Sequence, residues 1–188
     1  MVQKKLPQRL TRDEARLLEN QPNARYPTGV RDRALIRVMR CAGLRCAEAL
    51  DLTVRDVNLG KGEIRVNLGK GGRDRVVWID GETVEVLDRW KAIRPRSAKF
   101  FCTLKGARLH TSAVREMMNR RAVKAGITGI RVHPHMLRHT YATELIEDGY
   151  SIVEVQRLLG HARLDTTAIY LHVADANLSR RLKDRKIG

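Results

Sequence analysis

The residues best able to do chemistry are six basic or phenolic side chains spread along the chain: Arg45, Lys70, His135, Arg138, His161 and Tyr170. Arg45 stands just after Gly43, between two apolar segments, and Glu48 follows three residues later. On a helix that spacing puts both side chains on one face, where they pair; on an exposed face the same pair is worth little. His135 and Arg138 repeat the spacing just after Pro134. There, free N–H groups of a helix start join the two side chains in an anion site, unless this is only a capped start with solvated charges. Lys70 lies within Gly69-Lys70-Gly71-Gly72. Small residues let a phosphate approach the backbone and let the amine swing in; a solvated turn lysine is the plainer alternative. Tyr170 comes nine positions after His161, a tyrosine that taken alone reads as a core or surface aromatic. His133, His135, His139 and His161 also suggest a metal cluster, but acidic or cysteine ligands do not accompany them, so no metal is expected.

Composition narrows the partner. Against 21 Asp+Glu stand 37 Lys+Arg, a net charge of +16, and a sequence pI near 10.6 suits a polyanion. Aromatic residues are only 4%, too few for the stacking platforms of single-strand or RNA modules; double-stranded DNA is the better fit. Cys41, Cys46 and Cys102 are odd in number and lack CxxC spacing, so reduced, mostly buried thiols are expected rather than disulfides or a zinc site. No apolar run approaches the ~18 residues needed to span a bilayer, and the opening MVQKKLPQRL has no apolar signal region. A cytoplasmic, nucleoid-associated protein without a membrane partner or cofactor is expected.

The elements that position these residues are mostly helical. Thr11 and Glu14 form a capping box for a helix to about Asn20. Pro27 and Gly29 read as a break, followed by helices over about Val30–Ala42 and Cys46–Leu52. Glu63–Asn67 and Arg73–Ile79 read as a hairpin, and Phe100–Cys102 as a short third strand. Helices are predicted from Gly81 to Ile93, from a cap at Thr111 or Ser112 to Ala125, from Pro134 to near Gly149, from the Ser151/Glu154 box to Leu159, from Asp165 through Tyr170, and from Asn177 to Lys186. The result is an α+β domain, mainly helical, with a small antiparallel three-stranded sheet.

Four ordered stretches, Cys41–Leu50, Gly69–Gly72, His135–Thr140 and Leu158–His161 running on to Tyr170, resemble the tyrosine recombinase (phage integrase, Xer-like) family, from about Leu10 to Val173. The resemblance implies that family's catalytic fold and a site-specific recombinase or integrase that cleaves and rejoins DNA through a 3′-phosphotyrosine, without metal or ATP. By that likeness Arg45 and Arg138 clamp the scissile phosphate, which suits arginine's planar fork and permanent charge. Tyr170 is the nucleophile, His135 takes its proton or holds the phosphorane, and Lys70 protonates the leaving 5′-oxygen. His161 donates to a phosphate oxygen, and Glu48 orients Arg45 or His135 from behind.

A DNA-binding element is also expected. Ser112–Ala125 carries Arg115, Arg120, Arg121 and Lys124 for phosphates and Asn119 for base edges, with Val114, Met117, Met118 and Ala122 as its apolar face; a merely solvated basic face is the alternative. Barely ten residues precede the first helix, whereas most family members carry a separate N-terminal core-binding domain. Residues 1–188 are therefore expected to be the catalytic domain alone, excised or naturally minimal, with 174–188 as a helical tail. The resemblance implies docking of that tail onto a neighbouring protomer, within a homo-oligomer (a tetramer) on DNA. Two other readings stay open: type IB topoisomerase-like relaxation, and a non-catalytic DNA-binding module.

Overall fold

The structure, a computed structural model, describes residues 8–67, 74–160, 170, 171, 173–175, 177 and 178. Its first helix, α1 (Arg12–Asn20), opens on the expected capping box: the Thr11 side chain accepts from the Glu14 N–H, and the Glu14 carboxylate takes the Thr11 N–H at 2.8 Å. Helix α2 (Pro27–Cys41) starts earlier than expected, because Pro27 occupies its first turn instead of breaking the chain. A proline there loses no helical hydrogen bond and arrives with φ already set. Gly29 is required within that turn, since a Cβ would lie 1.9 Å from the Asn23 carbonyl oxygen. Buried on most sides, α2 is the central helix and packs against α1, α3 (Cys46–Asp51), α4 (Gly81–Ile93) and α6 (Pro134–Glu147).

The sheet has three strands in the order β1 (Val57–Asn58), β2 (Glu63–Val66) and β3 (Arg75–Trp78), all antiparallel. Ile64, Val66 and Val77 point to the core while Val76 and Trp78 face outward, the alternation that a half-buried sheet demands. The third strand is thus Val57–Asn58 rather than Phe100–Cys102. Phe100 and Phe101 are fully buried in an irregular segment whose Phe100 carbonyl accepts from the Trp90 indole and the Arg94 guanidinium; Cys102 makes only an isolated bridge to Arg108. The tip of the β2–β3 hairpin, with Lys70, lies outside the described residues.

Helix α5 (Thr111–Lys124) is preceded by His110 at its cap, so Thr111 is the first helical residue and neither Thr111 nor Ser112 caps it. Val114, Met117, Met118 and Ala122 form its buried face as expected. Helix α7 (Ile152–Leu159) opens on the Ser151/Glu154 box and closes at Gly160, which has φ +65°. Of the helices expected from Asp165 and from Asn177, most residues lie outside those described; the described ones from Leu171 to Leu178 are helical.

Among the described residues two apolar clusters hold the fold. The larger joins α1 to α5 and the sheet around Leu35, Ile36, Met39, Trp90, Phe101 and Met118. The smaller packs Ala142, Ile146, Val155 and Leu159 of α6 and α7 around Tyr170. Burial of each such large side chain contributes about 1.5–3 kcal/mol. An ionic rivet crosses the first layer: Arg37 reaches Glu19 on α1 at 2.8 Å and Asp80 at the start of α4 at 3.0 Å, while Arg40 takes the other Glu19 oxygen at 2.8 Å.

Candidate active site

Arg45 is brought to the site by the left-handed turn at Gly43 and sits at the N-cap of α3. The Glu48 carboxylate accepts from the Arg45 N–H and from its Nη1, both at 2.8 Å. The pair is therefore no loose surface bridge: Glu48 is 8% exposed. A second guanidinium, Arg75 of β3, grips the same carboxylate at 3.1 and 2.9 Å and donates through Nε to the Leu158 carbonyl at 3.0 Å. Arg138 Nη1 stands 3.7 Å away on a third side. Burial pushes the Glu48 pKa up, but Arg75, the Arg45 N–H and Arg138 pull it further down, leaving it below the ordinary carboxylate value. Glu48 is thus an anion at neutral pH, holding Arg45 and Arg75 with Arg138 close by.

Arg75 was missed at the sequence level, although a signal existed. Residues alternate along a strand, so Arg75 shares the inward face of Val77, and an arginine on a core face must find an anion. Gly160 leaves room for it: a Cβ there would lie 2.9 Å from the Arg75 side chain.

Arg138 is fixed by backbone. Helix α6 begins with Pro134 in its first turn, and one turn later Arg138 donates to the Gly43 carbonyl at 2.6 Å and the Leu159 carbonyl at 2.5 Å. It is 5% exposed. Burial first, then the nearby charge of Arg45, presses its pKa down to about 10, far enough above neutrality for it to remain a cation. His135, one turn before, is exposed and edge-on to His133, with ring centroids 6.2 Å apart. Desolvation, then Arg138, Arg115 and Arg45, hold its pKa below the usual histidine value.

Tyr170 reaches this group from the chain beyond α7. Its ring is buried in the smaller apolar cluster, and the residue is 4% exposed. Burial raises the phenol pKa to about 12, opposed by the charge of Arg138. The hydrogen-bond partner of its hydroxyl is Nδ1 of His139, at 2.6 Å, rather than His135, to which the resemblance assigns the proton. His139 is the second residue that sequence reasoning passed over; it entered only as one of a histidine group. Among the described residues no set of three His, Cys, Asp or Glu is arranged to hold a metal ion.

The structure therefore gathers Arg45, Glu48, Arg138, His135 and Tyr170 around the junction of α3, α6 and the end of α7. Lys70 and His161 lie outside the described residues. On α5, Arg115 reaches toward this junction, perturbing both His133 and His135. Arg120 and Lys124 are exposed and Asn119 is half-buried. Arg120 lies 3.9 Å from Glu116, and Arg121 is drawn inward, 3.4 Å from Asp32.

Fold and site together fit a family that the comparisons with known proteins identify. The profile of the phage integrase family matches residues 8–177, and the chain belongs to that family. It is 39% identical over 180 residues to tyrosine recombinase XerC of Proteus mirabilis, spanning 93% of this chain and 58% of that protein. The XerC of Pelotomaculum thermopropionicum is 34% identical, over 95% of this chain and 61% of that one. Among solved structures, XerA recombinase superposes with a TM-score of 0.85 at 32% identity, over 98% of this chain and 68% of that chain. XerH bound to a palindromic difH substrate in a post-cleavage complex gives 0.80 at 29% identity, over 96% of this chain and 54% of that chain. The chain spans a little over half the length of the XerC relatives it matches.

Proposed function

We propose that this chain is the catalytic domain of a site-specific recombinase that cuts and rejoins double-stranded DNA through Tyr170. The observation that carries the reading is the convergence of two guanidinium groups and one phenol, Arg45, Arg138 and Tyr170, on one junction of the fold. Arg45, with its side chain 37% exposed, takes a phosphate from solvent, while Arg138 offers the N–H groups not spent on Gly43 and Leu159. Their charge balances that developing on the phosphorane, the work a metal ion does in other phosphoryl-transfer sites. The Tyr170 oxygen forms a bond to phosphorus as the bond to the 5′-oxygen breaks. Lys70 protonates the leaving oxygen and His161 steadies a phosphate oxygen, as the family likeness implies. The phosphotyrosine keeps the energy of the phosphodiester, so an incoming 5′-hydroxyl reverses the step on another strand without ATP. Helix α5 lies along the duplex through Arg115, Arg120 and Lys124, and residues 174–188 dock on a neighbouring protomer in a homo-oligomer. XerH crystallised with its DNA after cleavage, which supports assigning the same class of substrate to this chain.

The test is covalent capture. Nicked duplexes carrying a randomised segment are incubated with the protein, and adducts surviving denaturant are recovered and sequenced. Wild type is expected to trap a defined subset, and Tyr170→Phe none while binding the recovered duplex almost as well. An adduct in Tyr170→Phe would refute the nucleophile. Relaxation of supercoiled plasmids without sequence preference would favour a topoisomerase-like activity, and binding without any adduct would favour a non-catalytic module.

A further inference from the structure

We propose that His139 is the proton acceptor for Tyr170: as the phenol oxygen attacks phosphorus, its proton passes directly to Nδ1 of His139. This rests on the recombinase reading and adds to it a residue with no role there. The hydroxyl and Nδ1 are 2.6 Å apart, within the reach that proton transfer requires. Accepting at Nδ1 leaves the ring's own proton on Nε2.

The surroundings of His139 suit the task. The ring is half-buried on α6, with His135 and Arg138 on the same helix, His133 in the turn before it and Tyr170 from the chain beyond α7. Desolvation, then the positive potential of His135, Arg138 and His133, keep its pKa below the usual histidine value. The ring is therefore neutral at neutral pH, with Nδ1 available. Tyr170 needs such a partner: with its pKa raised to about 12, only about one phenol in 10⁵ is ionised at pH 7, five pKa units below that value. The balance closes with the proton that the proposed function takes from Lys70. The Tyr170 O–H bond gives its electron pair to the new P–O bond, its proton goes to Nδ1, and the 5′-oxygen leaves with a proton from Lys70. On resealing, the imidazolium returns the proton to the tyrosine as the 5′-hydroxyl attacks and Lys70 is reprotonated.

The experiment is single-turnover cleavage of a nicked duplex recovered by the capture assay, from pH 5 to 10. Wild type is expected to rise to a plateau as His139 loses its proton, with the inflection below the ordinary histidine value. His139→Ala is expected to be about 100-fold slower or worse near neutrality, the scale of a lost general base, and to climb with pH without that plateau. His139→Asn keeps a hydrogen-bond acceptor but takes no proton; it is expected to be as slow as His139→Ala. Placing 3,5-difluorotyrosine, a more acidic phenol, at position 170 is expected to shrink the gap between wild type and His139→Ala at least tenfold. Full activity in His139→Asn, or an unchanged gap with difluorotyrosine, would reduce His139 to a positioning group and overturn the proposal. So would a wild-type pH profile in His139→Ala. Wild-type protein that captures no duplex overturns the recombinase reading as well; wild-type capture with an undiminished His139→Ala overturns the relay alone.

Discussion

Replacing Glu48 by glutamine removes one negative charge and almost no volume, at the point where three guanidinium groups meet. Arg75 and Arg138 have side chains only 8% and 6% exposed, so neither can turn to water when the charge goes. Removing one partner of a buried ion pair costs about 3–5 kcal/mol, because the other charge is left uncompensated. For a chain of this size 1 kcal/mol corresponds to roughly 2–4 °C, so Glu48→Gln is expected to lower the melting temperature by roughly 10 °C at pH 7. The pH dependence follows from the depressed pKa. Glu48's contribution is complete above the unfolded-state value near ~4.3 and disappears as pH falls through the lower folded value. The gap between wild type and Glu48→Gln should therefore be constant from pH 8 to 6 and close in acid. The double variant Glu48→Gln/Arg75→Met should lose less than the two single variants added together, since methionine carries no charge to strand. Urea denaturation at several pH values measures all of this. A Glu48→Gln variant within about 0.5 kcal/mol of wild type, the range of ordinary surface substitutions, would show that the carboxylate does not hold the site together.

Three further outcomes are expected. Gly43→Ala combines a φ of +62° with a Cβ 2.4 Å from the Tyr141 ring; the backbone conformation alone costs about 1–2 kcal/mol, and the displaced Gly43 carbonyl loosens Arg138, so both urea stability and cleavage rate should fall. Arg115→Ala and Lys124→Ala should each flatten the salt dependence of duplex binding by about 0.9 in the log–log slope, one phosphate apiece, as read by fluorescence anisotropy; Arg121→Ala should instead lose stability through Asp32, and an unaltered slope in the first two would take α5 off the DNA.

What could be read from the sequence was what is local. The boxes at Thr11/Glu14 and Ser151/Glu154 sit within four residues and form in the structure as expected. The pairing of β2 with β3 follows from alternation. Strand β1 was invisible, since two residues, Val57 and Asn58, carry no period. Phe100 and Phe101 misled because an apolar, aromatic run reads as a strand, whereas burial here is achieved by a loop whose polar groups are met by Trp90 and Arg94. At the site, the pairing of Arg45 with Glu48 was legible because three residues separate them and the contact forms as expected. The partners of Arg75 and His139 were not, because they lie 27 and 31 residues away in sequence and only tertiary packing introduces them; alternation marks Arg75 as inward-facing without naming Glu48.

Arg138 is anchored at both ends of its fork to carbonyl oxygens that close two separate helices, Gly43 just past α2 and Leu159 at the end of α7. Under the proposed function it is rivet and reagent at once. A lysine there has a single ammonium in place of the fork and cannot span both carbonyls in the same geometry, so even the mildest exchange would unfasten α7, the segment leading toward Tyr170. Inactivity in a variant at position 138 is consequently ambiguous: the fault can lie in the grip on phosphate or in the delivery of the nucleophile. Arg45 caps α3 through its backbone, so exchanging its side chain leaves that N–H in place and touches no part of α7; if the proposed function holds, it is the cleaner place to weigh what a guanidinium contributes.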